Sequence, residues 1–200
     1  MDRLIVCKRF AGEEHDIQDF VTPNQVEVLS LFEYLKQENP YETAALCWQY
    51  LNQYVSYPAN PLGQTVDKQR LITFGGAFVY DQPDDYWQFP YETIARVRWA
   101  SKSGKMTMGD CADVTFAMVS VLRNQLGPNE VFACIGTHPI NGEPQGHAWV
   151  VFRYELEIYY ADPTHEFGKP LDLGLYVPYV YFNDIELQIE KVEITKLLGV

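Results

Sequence analysis

Apolar residues recur at helical spacing in the first half of the chain. Residues 25–39 place one such set on a single helix face: Val28, Leu31, Phe32 and Leu35. A second helix is expected to start near Asn39 and Pro40, because asparagine can cap a first turn and proline suits its first position. The positions expected to be buried on this helix are Leu46, Tyr50, Leu51 and Tyr54.

The tetrapeptide Pro-Tyr-Glu-Thr occurs twice, at residues 40–43 and 90–93. We interpret it as one helix-start signal used twice, and the second copy predicts a short helix over residues 94–100. Between the two copies, residues 58–90 are rich in glycine, proline, aspartate and aromatic residues. A segment of that length without regular pattern usually has a function or contains short strands.

The second half begins with a helix and then changes to alternating patterns. Residues 111–126 form the helix, which Gly127 and Pro128 end. Its expected buried stripe is Val114, Met118, Val121, Leu122 and Leu126. Strands are predicted over residues 131–137, 147–155, 156–162 and 186–195. The order indicates an α+β fold in which helices precede an antiparallel sheet, as a single domain over residues 1–200 with its core at about 40–165.

Composition narrows the classes of partner. The formal net charge of −12 argues against nucleic acid and against anionic membrane surfaces. No apolar run approaches the roughly 20 residues of a membrane helix, and the first 16 residues do not resemble a secretory signal. We therefore expect a reduced, cytoplasmic protein with free thiols, although a phage or virion origin fits equally well. No feature predicts an oligomeric state.

Cys111 is the first candidate for chemistry. It follows Asp110, a suitable helix cap, so it is expected in the first turn of the helix, where the positive end of the dipole lowers a thiol pKa. Alone, a cysteine at a helix start is more often a small buried apolar residue. The remaining cysteines lie in apolar runs and are interpreted as core: Cys7, Cys47 and Cys134.

His147 and Asp162 supply a base and an orienting carboxylate. His147 is predicted to begin one strand and Asp162 to end the next, before Pro163. A hairpin turning at Tyr154 and Glu155 would place the two directly opposite one another, where the carboxylate could accept the imidazole N–H. Taken singly, a histidine at a sheet edge and an Asp-Pro turn are both common structural features.

Three blocks together resemble the transglutaminase-like superfamily. They are Gly-Asp-Cys-Ala-Asp at 109–113, Gly-His-Ala-Trp-Val at 146–150 and Ala-Asp-Pro-Thr at 161–164, and the resemblance extends from about residue 84 to 164. It implies a papain-like fold carrying a Cys–His–Asp triad, with Cys111 as nucleophile, His147 as base and acid, and Asp162 as the orienting group. Many bacterial members carry glutamate where this chain has Ala112, which leaves the triad unchanged.

The resemblance also suggests a second donor to an oxyanion, beside the backbone N–H of Cys111. The segment 85–93 is similar to one that precedes the cysteine helix in bacterial and phage members, so the side chain of Gln88 or Trp87 could serve. Packing in the core is an equally good interpretation of both residues.

The expected function is acyl transfer from a peptide or protein substrate to a thiol, with hydrolysis ranked first. Two alternatives are protein cross-linking by transamidation and a binding or structural module that does not use the site. No cofactor is expected. A zinc site formed by Cys134, His138, His147 and His165 is disfavoured, because no metal-binding pair such as CxxC or HxxxH is present.

Overall fold

The computed structural model describes residues 6–8, 14–56, 71–74, 77–80, 87–140, 142–164, 166–169 and 172–189. The helices are α1 (Val26–Leu35), α2 (Pro40–Tyr54), α3 (Pro90–Ser103) and α4 (Cys111–Leu122). The strands are β1 (Val6–Lys8), β2 (Glu14–Asp16), β3 (Val55–Ser56), β4 (Leu71–Phe74), β5 (Ala77–Tyr80), β6 (Thr107–Met108), β7 (Val131–Ile140), β8 (Glu143–Tyr154), β9 (Glu157–Ala161), β10 (Phe167–Gly168), β11 (Val177–Phe182) and β12 (Leu187–Gln188).

Both copies of Pro-Tyr-Glu-Thr begin helices, which confirms that prediction. At the start of α2, the Asn39 side chain accepts a hydrogen bond from the Glu42 N–H at 2.8 Å. At the start of α3, the Glu92 carboxylate accepts from the Phe89 N–H at 2.7 Å. Each contact satisfies a backbone donor that the first helical turn leaves unpaired.

The buried face of α2 differs from the predicted one. Leu51 is buried as expected, but Leu46 is 37% exposed. The helix instead buries Thr43, Ala44, Cys47 and Leu51. These four positions recur at intervals of one, three and four residues, so they form one helix face, which shares only Leu51 with the predicted face.

The central sheet is antiparallel, with strand order β10-β9-β8-β7-β11-β12. The predicted strands over 131–137, 147–155 and 156–162 correspond to β7, β8 and β9, but β8 begins at Glu143, so His147 lies within this strand. The last predicted strand is found only at Leu187–Gln188, and residues 190–195 lie outside the described part. The sequence did not predict β11, whose Pro178 lies beside a bulge in its pairing with β7.

Within the predicted irregular stretch, β4 and β5 form an antiparallel pair. The expectation that this stretch hides short strands is therefore confirmed for residues 71–74 and 77–80.

The hairpin between β8 and β9 turns one residue later than predicted. Tyr154 pairs with Glu157, and Glu155 takes a left-handed backbone with φ of 58°. In this register Trp149 is level with Asp162, and His147 is not directly opposite the aspartate. The error is an even number of positions along the strand, so His147 and Asp162 still share one face of the sheet.

Helix α4 runs through the centre of the core. Each residue from Ala112 to Leu122 is buried, not only the predicted stripe, because α1, α2 and α3 pack on one side and β7 and β8 on the other. The main core joins this helix to residues of α1 and to the helix-facing side of the sheet. The opposite side of the sheet carries a second, aromatic cluster: Phe132, Cys134, Trp149, Val151, Tyr160, Tyr176 and Tyr181.

The architecture is α+β, as predicted, with a buried helix packed on an antiparallel sheet. In the ranges given above, no helix combines the length and the apolar character needed to cross a bilayer.

Candidate active site

The start of α4, residues 109–113, holds Cys111 in the first helical turn. The Asp110 carboxylate accepts hydrogen bonds from the N–H groups of Ala112 and Asp113, at 2.9 and 3.2 Å. Cys111 is half-buried, in contrast to the fully buried residues that follow it. The sequence-based position of Cys111, directly after an aspartate cap, is therefore confirmed.

Asp113 is a buried carboxylate that holds this turn by hydrogen bonds to the Asp110 backbone and to Gln88. It accepts from the Asp110 N–H at 3.1 Å, and from the backbone N–H and side-chain amide of Gln88, both at 2.9 Å. A side chain at Gly109 would come within 3.1 Å of the Asp113 carboxylate and 3.0 Å of Val55. Glycine at 109 thus allows the close approach that brings the preceding loop onto α4.

Gln88 is almost fully buried and serves this same turn. Its side-chain amide nitrogen donates hydrogen bonds to the Asp113 carboxylate at 2.9 Å and to the Met108 carbonyl oxygen at 3.1 Å. To act as an oxyanion donor, Gln88 would have to release one of these bonds. The Trp87 ring packs edge-on against Phe20 and Phe116, with centroids 5.4 and 5.0 Å apart.

His147 and Asp162 form a buried carboxylate–imidazole pair. Nε2 of His147 lies 2.9 Å from Oδ1 and 2.8 Å from Oδ2 of Asp162, and the residues are 4% and 0% exposed. A carboxylate only accepts, so Nε2 carries the proton and donates it. In the neutral ring, Nδ1 is then the nitrogen with the lone pair and can take up a proton.

The Asp162 carboxylate is oriented by further donors. Thr164 donates to Oδ1 from its backbone N–H at 2.8 Å and from its hydroxyl at 3.0 Å. The Tyr176 hydroxyl donates to Oδ2 at 3.1 Å. The indole N–H of Trp48, on α2, donates to the Asp162 backbone carbonyl at 2.7 Å. Hydrogen bonds to the ionised form favour an ionised carboxylate despite its burial.

Aromatic rings enclose the imidazole of His147. Trp149 is nearly parallel to it, with ring centroids 6.0 Å apart, and the His138 ring lies at 5.7 Å. Gly136 pairs with His147 across the sheet, and a Cβ at 136 would lie 2.1 Å from the Val177 carbonyl oxygen and 2.9 Å from the Trp149 ring. A glycine is therefore required at position 136 for β11 and Trp149 to pack beside His147.

A cavity of about 240 Å³ is lined by residues that neighbour Cys111 and Asp162 in the sequence. One wall comes from the start of α4, through Asp110 and Val114, and another from Pro163 and Thr164, directly after Asp162. The remaining lining residues lie at the end of α2 and in β3: Asn52, Val55 and Ser56. The Thr164 hydroxyl is also 3.4 Å from Nε2 of His147, so this wall is in contact with the pair.

The other described thiols differ from Cys111 in burial. Cys47 and Cys134 are free and fully buried. Burial raises the pKa of Cys47 to about 12 and that of Cys134 well above its ordinary value. Both behave as apolar core side chains, as predicted, while the Cys7 side chain lies outside the described part.

The zinc site that the sequence disfavoured can be examined only for those of its four residues that the structure describes. Cys134 and His138 belong to the described part, and His165 lies outside it. Among the described residues, no group of three or more histidine, cysteine, aspartate or glutamate side chains is arranged to hold a metal ion.

Sequence reasoning missed several residues that orient the pair. Thr164 could have been found from its position two residues after Asp162, where a threonine commonly bonds an aspartate in a turn. Trp48 and Tyr176 lie 114 and 14 residues away from Asp162 and give no local signal. Asp113 could have been found from its position three residues after Asp110, which is the spacing of a capping box.

Among solved structures, the chain is similar to LapG of Legionella pneumophila. The calcium-bound form aligns with a TM-score of 0.54 and 19% identity, over 82% of this chain and 77% of LapG. The EGTA-treated form aligns with a TM-score of 0.53 and 20% identity, over 82% and 75%. No family model and no curated protein matches the chain. At this identity the likeness concerns the fold, which is the papain-like, transglutaminase-like α+β fold.

Proposed function

We propose that this protein is a thiol-dependent peptidase or amidase in which Cys111, His147 and Asp162 form a catalytic triad. The observation that carries the proposal is the buried His147–Asp162 pair, whose neighbour Thr164 lines a cavity that Asp110, at the start of α4, also lines. The papain-like, transglutaminase-like fold that the chain shares with LapG is compatible with this proposal.

In the first step, the thiolate of Cys111 attacks the carbonyl carbon of an amide. Its proton has passed to Nδ1 of His147, and Asp162 stabilises the resulting imidazolium through the bond at Nε2. The carbonyl oxygen becomes an oxyanion, for which the backbone N–H of Cys111 is one donor, with Trp87 or Gln88 as candidates for a second. The imidazolium then protonates the leaving amine as the C–N bond breaks, which leaves a thioester on Cys111.

In the second step, neutral His147 removes a proton from water as the water oxygen attacks the thioester. The C–S bond breaks, a carboxylic acid leaves, and the thiolate–imidazolium pair is restored. If an amine takes the place of water, the same residues carry out transamidation. We rank hydrolysis first because bacterial members of the superfamily that the sequence resembles are more often expected to be peptidases or amidases than cross-linking enzymes.

A peptide or protein is the expected substrate, and the net charge of −12 favours neutral or basic segments over acidic ones. We also keep the expectation of a reducing, cytoplasmic compartment.

The proposal is tested with the purified protein, denatured casein as a protein substrate, and dansylcadaverine as a labelled amine. We expect new amino termini in casein and a covalent acyl adduct on Cys111 by mass spectrometry, both lost in Cys111→Ala and kept in Cys7→Ala. Amine incorporation without new termini would replace hydrolysis with transamidation. Casein is only one protein, so a proteome-derived peptide pool is used in parallel. Absence of any Cys111-dependent product from both would favour the non-catalytic module.

A further inference from the structure

Tyr176 approaches Asp162 from a different part of the fold than the other carboxylate donors. It follows a 3₁₀ turn at Leu173–Leu175 and directly precedes β11. Thr164 belongs to the same loop as Asp162, so its hydrogen bonds orient the carboxylate only relative to that loop. The Tyr176 hydroxyl, bound to Oδ2 at 3.1 Å, ties the carboxylate to the opposite flank of the sheet.

The ring of Tyr176 is itself held firmly. It is 6% exposed and packs against His138, Trp149 and Tyr160, with centroids 4.6, 5.2 and 5.2 Å away. Its hydroxyl also lies 3.5 Å from the Glu166 carboxylate, a longer contact than the one to Asp162. Burial, followed by the nearby charge of Asp162, raises the pKa of Tyr176, so the phenol keeps its proton and acts as a donor at neutral pH.

Two donors therefore share one carboxylate oxygen. Nε2 of His147 is 2.8 Å from Oδ2, and the Tyr176 hydroxyl is 3.1 Å from the same atom. When two donors bind the same oxygen, each hydrogen bond reduces the negative charge on that oxygen and so weakens the other hydrogen bond. The phenol thereby limits how strongly Asp162 binds the imidazole, and at the same time fixes the direction from which it does so.

We infer that Tyr176 is a positioning residue of the His147–Asp162 pair, acting through the hydrogen bond from its hydroxyl to Oδ2. The consequence for catalysis rests on the function proposed above, whereas the consequence for the hydrogen bond of His147 does not. Tyr176 makes no contact with substrate in this scheme and acts only through Asp162.

The same aromatic cluster provides a matched control. Tyr181 is 3% exposed and belongs to that cluster, and among the described residues no hydrogen bond joins its hydroxyl to Asp162. Tyr176→Phe and Tyr181→Phe each remove one hydroxyl from this cluster while keeping the ring. A difference between the two variants therefore reports the bond to Asp162 rather than general packing.

The experiment measures two quantities on the full chain. By proton NMR with ¹⁵N labelling, the Nε2–H resonance of His147 should move downfield in Tyr176→Phe, because the remaining donor meets an undivided acceptor, and stay in place in Tyr181→Phe. With a peptide substrate, kcat should fall roughly three- to thirtyfold in Tyr176→Phe with little change in KM. Tyr181→Phe should keep both constants.

A second variant covers the case in which Tyr176→Phe folds poorly. Incorporation of 3-fluorotyrosine at position 176 keeps the ring and makes the phenol a stronger donor, so the His147 resonance should move upfield. Equal resonances for wild type, Tyr176→Phe and the fluorinated protein would overturn the inference, whatever the activity. If no Cys111-dependent activity exists but the resonance moves in both expected directions, the proposed function fails and the positioning role of Tyr176 stands.

Discussion

The two parts of the candidate site are held by different kinds of interaction. The His147–Asp162 pair is buried, and its bonds come from α2, from the loop after β9 and from Tyr176, which directly precedes β11. The start of α4 is organised mainly by the carboxylates of Asp110 and Asp113 within its first turn, with Gln88 bound to Asp113, and it leaves Cys111 half-buried. His147 is therefore held by tertiary contacts, and Cys111 by a capped helix turn.

This difference predicts separate effects on stability and activity. Removing a partner inside the buried pair leaves polar groups that water cannot reach, which costs stability as well as function. Changing the thiol removes the reacting atom and few contacts. Substitutions in each part of the site test that contrast.

The largest effect on activity is expected for Cys111→Ala. The Cys111-dependent rate should fall by about 10⁴-fold or more, because no other group at the start of α4 can form the thioester. The free energy of unfolding should change by less than about 1 kcal/mol, since alanine favours a helix and the replaced side chain is only half-buried. Urea denaturation followed by circular dichroism checks this. A loss well above 1 kcal/mol would show that the thiol is also a structural group.

Asp162→Asn should reduce both the free energy of unfolding and kcat. The new amide directs an N–H toward a site where His147, Thr164 and Tyr176 already donate, so at least one buried donor loses its acceptor. We expect a loss of about 2–4 kcal/mol in the free energy of unfolding and a fall of about 10³- to 10⁴-fold in kcat. The same urea titration and a peptide assay measure them. Wild-type stability in this variant would contradict the expectation that the buried His147–Asp162 pair contributes to stability and Cys111 does not.

Asp113→Asn tests the local organisation of the start of α4. Asparagine loses one of the acceptor oxygens that bind Gln88 and Asp110, and the expected cost is about 1–3 kcal/mol. Activity should fall less than in Asp162→Asn, because the turn shifts while the reacting groups remain. The matched control is Glu92→Gln at the start of α3, where glutamine can still cap the helix. Its stability and activity should stay close to wild type, and an equal loss in both variants would remove any special role for Asp113.

The smallest effect concerns Glu130, a carboxylate outside both parts of the site. The hydrogen bond from the Gly127 N–H, followed by the contact with Arg153, lowers its pKa. A lowered pKa stabilises the fold above the ordinary pKa of a carboxyl group, and this contribution is lost as pH falls through the lowered value. Glu130→Gln should thus cost roughly 0.5 kcal/mol or less near pH 7, with a difference from wild type that disappears in acid. Activity should not change, and a pH-independent difference in urea midpoints would contradict this assignment.

Much of the local structure could be predicted from the sequence, because local rules govern it. The starts of α2, α3 and α4 follow from Asn39, Pro90 and Asp110, whose side chains or rings act within one helical turn. The family resemblance also placed His147 and Asp162 together, and the structure brings them into contact. Their predicted register was wrong, since Glu155 adopts a left-handed backbone that nothing in its identity suggests.

The remaining features depend on contacts between distant residues. Tyr176 and Trp48 reach Asp162 only because β11 and α2 pack beside it, and no periodicity reports such a contact. Strand β11 was not predicted, and its Pro178, which has no N–H to donate to a neighbouring strand, lies beside a bulge in the pairing with β7. Gly136 likewise shows its importance only once Val177 and Trp149 are seen to close upon it.

The most direct test of the account is the pH dependence of iodoacetamide alkylation, mapped by mass spectrometry to each cysteine. We predict that Cys111 is alkylated far faster than Cys47 and Cys134, with a rate that has already risen well below pH 8. In His147→Ala, the rate at Cys111 should fall to that of a free thiol. A wild-type Cys111 that reacts no faster than free cysteine, with the same pH dependence in His147→Ala, would contradict the pairing of this thiol with His147 and Asp162.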